Sequence, residues 1–118
     1  MYYIPMKIAS WNVNGLRAVH RKGLFLPMIE KYKLDIICLQ ETKSEQSQNE
    51  IDLAGYEEYW NSSTARKGYS GTAIFTKIKP LAVTFGFPED ISKKYNLADD
   101  SYGDLNKEGR LITAEYGP

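Results

Sequence analysis

The 118-residue chain has few of the residues that define several common kinds of functional site. Cys38 is its only cysteine and His20 its only histidine. A disulfide framework and a zinc site built from histidine and cysteine are therefore excluded. The sequence also contains neither a Ser-His-Asp arrangement nor a glycine-rich loop of the type that cradles phosphates. Because Cys38 lies in an apolar run, we interpret it as a small buried hydrophobic residue.

An excess of charge of one sign and long apolar runs are missing as well. Fifteen lysines and arginines balance fifteen aspartates and glutamates, so the net charge gives no argument for nucleic acid as a partner. No apolar run approaches the roughly 20 residues of a membrane span, and no signal peptide precedes Met6. We therefore expect a cytoplasmic protein with no membrane partner, in which residues 1–5 are a natural extension or a remnant of cloning.

The composition and the pattern of apolar residues are typical of one folded domain. The hydrophobic content is 42% and the charged content 25%, values typical of a globular protein. Residues 7–13 are predicted to form a strand, residues 24–33 a helix after a basic connector, and residues 34–39 a buried strand. Such a strand-helix-strand unit has a right-handed crossover and places the carboxyl ends of both strands at one edge of the sheet.

The rest of the chain predicts shorter elements. Residues 44–55 are polar and helix-compatible, residues 55–61 form an aromatic strand and residues 66–71 a turn. Residues 72–77 and 81–85 are predicted to be neighbouring antiparallel strands joined at Lys79-Pro80. Residues 88–108, with the acidic segment 99–104, are predicted to be a surface loop with one helical turn. Residues 110–116 form a last strand, and an unpaired sheet edge after it is a site for association.

Two polar side chains follow the paired strands at this edge. Glu41 would be desolvated there, so it needs either an ion pair with Lys43 or Arg17, or a hard metal ion such as Mg²⁺. Asn12 either ends its strand in a turn or donates to a phosphate oxygen or a metal-bound water. Both alternatives stay open on spacing alone.

Basic residues gather at turns despite the zero net charge. They are Arg17, Arg21 and Lys22 after the first strand, Arg66 and Lys67 beside Tyr69, and Arg110 at the last strand. Each group is either solvated charge or a set of phosphate contacts. Together with Glu41 they describe a phosphodiester site. His20 is interpreted as a solvated histidine in the first basic loop.

Four motifs carry a resemblance to a known family. They are Ser10-Trp11-Asn12-Val13-Asn14-Gly15-Leu16-Arg17-Ala18, Leu39-Gln40-Glu41-Thr42-Lys43, Gly68-Tyr69-Ser70-Gly71 and Glu108-Gly109-Arg110. In this order they resemble the exodeoxyribonuclease III-type apurinic/apyrimidinic endonucleases of the exonuclease-endonuclease-phosphatase superfamily. The resemblance spans residues 6–117.

The resemblance implies an α/β (α+β) fold, in which residues 1–118 form a single partial domain. That domain would be the amino-terminal half of a four-layer αββα sandwich, with a mixed sheet and flanking helices. Glu41 would be the principal metal ligand, and Asn12 a second catalytic and metal-site residue. The cofactor would be Mg²⁺, with Mn²⁺ as a substitute. The residues implied to bind DNA are Arg17, Lys22, Tyr69 and Arg110, with Arg21 as an alternative to Lys22.

The implied reaction is metal-dependent hydrolysis of double-stranded DNA 5′ to abasic sites, together with 3′ to 5′ exonuclease activity. Two departures from the family pattern are Asn14, where some relatives have aspartate, and a longer 88–108 loop. Family members are also about twice as long, and their second half supplies the general base. We therefore expect the chain to be inactive alone. Alternatives are a phosphate-ester phosphatase of the same superfamily and a non-catalytic half-domain that associates with itself or a partner.

Overall fold

The computed structural model describes residues 5–97 and 103–118. Its helices and strands are short and alternate along the first half of the chain. They are β1 (Ile8–Asn12), α1 (Leu16–Arg21), α2 (Phe25–Tyr32), β2 (Ile36–Gln40), β3 (Glu57–Asn61), β4 (Thr72–Thr76), β5 (Ala82–Phe85), α3 (Glu89–Lys94) and β6 (Ile112–Glu115). Two 3₁₀ turns lie at Gln46–Gln48 and Leu105–Lys107.

The main sheet has the strand order β1-β2-β4-β3. β1 and β2 are parallel and in register from Ile8 opposite Ile36 to Asn12 opposite Gln40, while β4 is antiparallel to both β2 and β3. The predicted mixed sheet with flanking helices is therefore confirmed. Since β1 and β2 run in the same direction, their carboxyl ends lie side by side, as the strand-helix-strand pattern predicts.

The predicted pairing of residues 72–77 with residues 81–85 is wrong. β4 lies in the centre of the main sheet, and β5 instead pairs with β6 in a separate two-stranded sheet. The apolar run of β4 explains the difference, because four of its five residues are buried and a central strand is covered on both faces. β5 is mostly exposed and has no such requirement.

The crossover between β1 and β2 contains two helices rather than one. The predicted helix is present as α2, with Pro27 in its first turn, but the basic connector before it is itself helical in α1. Gly23, at φ 73°, separates the two helices in a conformation that favours glycine. His20 therefore lies on a helix, and its predicted position in a loop is wrong.

The hydrophobic core lies between these helices and one face of the sheet. Phe25 of α2 packs against Phe75 of β4 with ring centroids 5.4 Å apart, and Trp60 of β3 packs against the same ring at 5.9 Å. Such edge-to-face contacts add to the free energy gained by burial. The other fully or nearly fully buried apolar residues include Val13, Leu16, Ile29, Ile37, Leu39 and Ala73.

The second face of the sheet is only partly covered. The β5–β6 pair meets it at the β3–β4 side, where the Tyr116 hydroxyl donates to Thr76 Oγ1 at 2.9 Å. A groove of about 420 Å³, lined mainly by apolar side chains, remains between β6 and the other strands. Cys38 lines this groove and is half-buried, so its interpretation as a buried core residue is wrong. Ile8 lines the same groove and is 60% exposed.

Two predicted segments differ in detail. Residues 44–55 form only the 3₁₀ turn at Gln46–Gln48, and the predicted 88–108 loop contains α3 and the second 3₁₀ turn. Part of the acidic segment 99–104 and most of the extension at residues 1–5 lie outside the described residues. Within the described ranges no helix is long and apolar enough to cross a membrane. The cytoplasmic location stays a prediction.

Candidate active site

The carboxyl ends of β1 and β2 bring Asn12 and Glu41 into contact. Asn12 Nδ2 donates a hydrogen bond to Glu41 Oε2, and Asn12 Oδ1 accepts one from the backbone N–H of Asn14 at 3.1 Å. Lys43 lies on the other side, with its Nζ 4.0 Å from Glu41 Oε1 and 2.5 Å from Asn14 Oδ1. The carboxylate is thus held between an amide and an ammonium group and is 43% exposed.

Backbone hydrogen bonds hold the loops around this pair together. The N–H of Gly15 donates to Glu41 O at 2.8 Å, and the N–H of Lys43 donates to Ser70 O at 2.8 Å. Thr42, between the two loops, is completely buried. A Cβ at Gly71 would lie 2.4 Å from Thr42 Oγ1, and its φ of 92° also favours glycine at this position of the Gly68-Tyr69-Ser70-Gly71 motif.

The same loops hold residues other than glycine in the left-handed backbone region. These residues are Asn14, Glu41, Lys43 and Ser70, with φ between 45° and 54°. Such conformations are uncommon for residues with a Cβ and cluster at functional sites, where the surrounding structure stabilises them. Here the loop-to-loop hydrogen bonds hold the backbone at Glu41 in place, and the hydrogen bond from Asn12 Nδ2 orients its carboxylate.

The residues present fit part of a divalent metal site. Glu41 offers carboxylate oxygens, and one or two carboxylates with water and phosphate oxygens are what Mg²⁺ uses in proteins. Asn12 points its nitrogen at Glu41 and its oxygen at the backbone, so in this geometry it orients the carboxylate. Among the described residues no three histidine, cysteine, aspartate or glutamate side chains gather into one group.

A basic groove of about 630 Å³ lies beside the pair, between α1 and the loops after β2. Its cationic lining is Arg17, Arg21 and Lys43, with His20 on the same wall, and Glu50 is the one acidic residue among the described residues that line it. Arg17 Nη2 donates to Lys43 O at 3.5 Å, which links the helix to the Glu41 loop. Lys22 caps α1 and does not line this groove, whereas Arg21 does.

Tyr69 and Arg110 meet in a second cluster next to Glu108. Arg110 Nε donates to Glu108 Oε1 at 2.7 Å, and Arg110 Nη2 donates to the Tyr69 hydroxyl oxygen at 2.6 Å. The carboxylate of Glu108 raises the pKa of Arg110, because it stabilises the charged form. The Tyr69 hydroxyl in turn donates to Glu108 Oε1 at 3.3 Å.

Sequence reasoning missed the part that Glu108 plays in this cluster. Its side chain is only 11% exposed. Glu108 is part of the Glu108-Gly109-Arg110 motif, but the sequence predicted no role for it. A carboxylate two residues before an arginine was the available signal, but it gave no indication that Tyr69 would lie within reach.

The chain is similar to known proteins along most of its length. A sequence profile of the endonuclease/exonuclease/phosphatase family matches residues 9–110. The chain is 44% identical over 111 residues to an exodeoxyribonuclease of Bacillus subtilis, covering 94% of this chain and 38% of that protein. It is 41% identical over 116 residues to the DNA repair nuclease APEX1 of Danio rerio, covering 94% of this chain and 33% of that protein.

Solved structures also match most of this chain. The catalytic domain of Xenopus laevis APE2 matches with a TM-score of 0.69 and 34% identity, over 91% of this chain and 38% of that one. The 3′ phosphatase NExo from Neisseria, bound to a product DNA hairpin, matches with a TM-score of 0.67 and 29% identity, over 93% of this chain and 37% of that one. The chain thus spans little more than a third of each of these structures.

Proposed function

Because the chain belongs to the endonuclease/exonuclease/phosphatase family, we propose that it is the part of a DNA-repair nuclease that carries one side of the catalytic centre. The similar proteins include an exodeoxyribonuclease and a DNA repair nuclease. The family resemblance recognised from the four motifs is confirmed. The nuclease activity, the substrate and the roles of individual residues form the proposal.

The observation that carries the proposal is the contact between Asn12 and Glu41 beside a basic groove. Glu41 would hold a divalent metal ion, Mg²⁺ or in its place Mn²⁺, and Asn12 would keep the carboxylate pointed at it. When bound, the metal would stabilise negative charge that develops on the attacked phosphate. Lys43, 4.0 Å from Glu41 Oε1, adds a fixed positive charge on the same side.

The proposed substrate is double-stranded DNA with abasic sites or 3′ ends, cut 5′ to the abasic site or shortened from the 3′ end. Arg17, Lys22, Tyr69 and Arg110 are proposed to contact it. Arg17 lines the basic groove, and Tyr69 and Arg110 form one hydrogen-bonded pair. Lys22 lies outside the groove, and Arg21 is the better-placed cation of α1.

We further propose that the 118 residues alone hydrolyse DNA poorly. Hydrolysis needs a base to take a proton from the attacking water, and the loss of such a group costs about 10²- to 10⁴-fold in rate. Near Glu41 the described residues provide one carboxylate, one ammonium group and amides. None of these has the chemistry of a base near pH 7 while Glu41 is engaged with a metal.

A chimera tests the catalytic role of Glu41 directly. This chain would replace the 111 matched residues of the Bacillus subtilis exodeoxyribonuclease, and incision of a duplex with one abasic site would be measured with Mg²⁺. We expect incision by the chimera and at least about 10-fold less by its Glu41→Gln variant, because even changes to residues that only support metal ligands cost about 10- to 100-fold. Glu89→Gln is the control, because Glu89 is an exposed residue of α3.

Two outcomes would contradict the proposal. Full activity of Glu41→Gln in the chimera would show that Glu41 is not needed for catalysis. Robust incision by the isolated chain, abolished by Glu41→Ala, would disprove its inactivity.

A second candidate is removal of a 3′ phosphate from DNA. The similarity to the Neisseria 3′ phosphatase favours it, and it needs the same phosphate and metal contacts. A duplex with a 3′-phosphoryl end, assayed beside the abasic duplex, separates the two, because only a phosphatase releases inorganic phosphate from it. Release by the chimera without incision would favour the phosphatase.

A further inference from the structure

Two guanidinium groups lie within about 6 Å of the centre of the Tyr69 ring. The Cζ atom of Arg66 is 4.3 Å from the ring centroid and that of Arg110 is 5.4 Å from it. Contacts of this length are favourable cation–π interactions. Tyr69 therefore contacts both arginines and ties their positions to one ring.

The polar tip of Tyr69 is also engaged. Its hydroxyl accepts from Arg110 Nη2 and donates to Glu108 Oε1. Arg110 uses its Nε–H and one Nη2–H in these contacts, which leaves three of its five N–H donors for a ligand. Arg66 is exposed, and its guanidinium is held by stacking on the ring.

The loops that carry the two arginines are fixed to each other. The backbone N–H groups of Thr64 and Ala65 both donate to Lys107 O, at 2.8 and 3.0 Å. Gly109 packs so closely on the other loop that a Cβ there would lie 2.5 Å from Asn61 O. The separation of Arg66 and Arg110 is therefore set by the backbone as well as by the ring.

This cluster adjoins the groove beside Glu41. A small cleft of about 110 Å³ is lined by Arg66, Lys67 and Tyr69 together with Ser62 and Ser63. It shares Gln48 and Gly68 with the basic groove, so the two lie side by side. A phosphate-bearing chain that passes the Glu41 pair would meet the two arginines next.

We propose that Arg66 and Arg110 form a paired phosphate-binding site, with Tyr69 as the spacer that holds them and Glu108 as the positioning residue of Arg110. The ligand class is a nucleic-acid backbone, because guanidinium forks match phosphate oxygens and the cluster continues a basic groove. This proposal rests on the proposed function, since it takes DNA as the ligand. It adds a contact by Arg66 and a role for the buried Glu108.

The contact by Arg66 can be measured from the salt dependence of binding. The probe is a fluorescein-labelled duplex with a tetrahydrofuran abasic analogue, and anisotropy gives the Kd of the 118-residue chain between 20 and 200 mM KCl. For Arg66→Ala and for Arg110→Ala we expect the slope of log K against log salt to become shallower by about 0.9 each. Lys31→Ala is the control. It too removes a cation next to a tyrosine, Tyr32, but at the opposite end of the sheet.

The positioning role of Glu108 is decided by the direction of the effect. Glu108→Ala makes the chain more positive by one charge, so electrostatics alone predicts tighter binding to DNA. If Glu108 positions Arg110, this variant binds more weakly in spite of the added charge, and Glu108→Gln restores binding because its amide oxygen still accepts from Arg110. Arg110→Lys keeps the charge but loses the fork, and we expect it to weaken binding as well.

Unfolding of a variant is checked by circular dichroism before the titrations. If Glu108→Ala does not fold, Glu108→Gln and Arg110→Lys test the site instead. Wild-type affinity of Arg110→Lys for the duplex would overturn the paired site. The proposal would also be overturned if Arg66→Ala gave the same slope of log K against log salt as Lys31→Ala. A folded wild-type chain that binds no duplex at 20 mM KCl would overturn it as well. Glu41 catalysis in the chimera would stand in each case, so failure of this inference is distinguishable from failure of the proposed function.

Discussion

Gly109 offers the sharpest test of how the candidate site is held together. It lies between Glu108 and Arg110 at φ 63°, and a Cβ there would be 2.5 Å from Asn61 O and 2.7 Å from Ser63 N. Both contacts are with backbone, which cannot rotate away as a side chain can. Gly109→Ala must therefore move one of the two loops that carry the arginine pair.

Gly68 supplies a matched comparison. It has φ 68°, and no atom lies within 4 Å of the position that its Cβ would take. An alanine at either site pays about 1–2 kcal/mol for the left-handed backbone. Only Gly109→Ala is destabilised further by overpacking, which costs about 1–3 kcal/mol. The change in the unfolded chain is the same for both variants and cancels.

Urea unfolding followed by tryptophan fluorescence measures this difference, since Trp11 and Trp60 pack against the core. At an m value of about 2 kcal/mol/M, an extra loss of about 2 kcal/mol lowers the midpoint of Gly109→Ala by about 1 M relative to Gly68→Ala. Equal midpoints for the two variants would refute the reasoning, because they would show that the close approach at Gly109 carries no free energy.

Three further predictions concern the core, the thiol and the open face. Phe75→Ala should lower the free energy of unfolding by about 3–5 kcal/mol because the ring is fully buried, whereas Phe85→Ala, at a residue 52% exposed, should change it by less than about 1 kcal/mol in the same urea titration. Burial raises the pKa of the Cys38 thiol, so its alkylation by iodoacetamide should rise at a higher pH than that of the unfolded chain. Because the folded state then holds the proton more tightly, stability should fall as the pH rises from the pKa of the unfolded thiol to that of the folded one. Self-association through the apolar groove should give a mass above 13.5 kDa in light scattering, reduced by Ile8→Lys but not by Leu24→Lys; a monomeric wild-type chain would contradict it.

Local patterns predicted much of the first half of the fold. Alternation in β1, the apolar run of β2 and the position of Pro27 depend on residues close in the sequence, and all three elements are present. The same patterns predicted that Asn12 and Glu41 would meet, because parallel strands joined by a crossover end at the same edge. Their catalytic and metal-binding roles stay predictions.

Local sequence patterns did not predict how strands distant in the sequence pair. The placement of β4 between β2 and β3 depends on the burial of both its faces, and β5 joins β6 from about 30 residues further along the chain. A turn signal at Lys79-Pro80 favoured a hairpin because it reports only local backbone preference.

The sequence by itself determined the family, the motifs and the chemistry that a carboxylate, an amide and several arginines can perform, because these follow from residue type and order. The tertiary structure alone decided which charges act together. Glu108 and Tyr69 are 39 residues apart in the chain, yet they share a hydrogen bond, and Arg66 and Arg110 meet on one ring. Such contacts depend on two loops packed through a glycine that has no room for a Cβ, a property that appears only when the chain is folded.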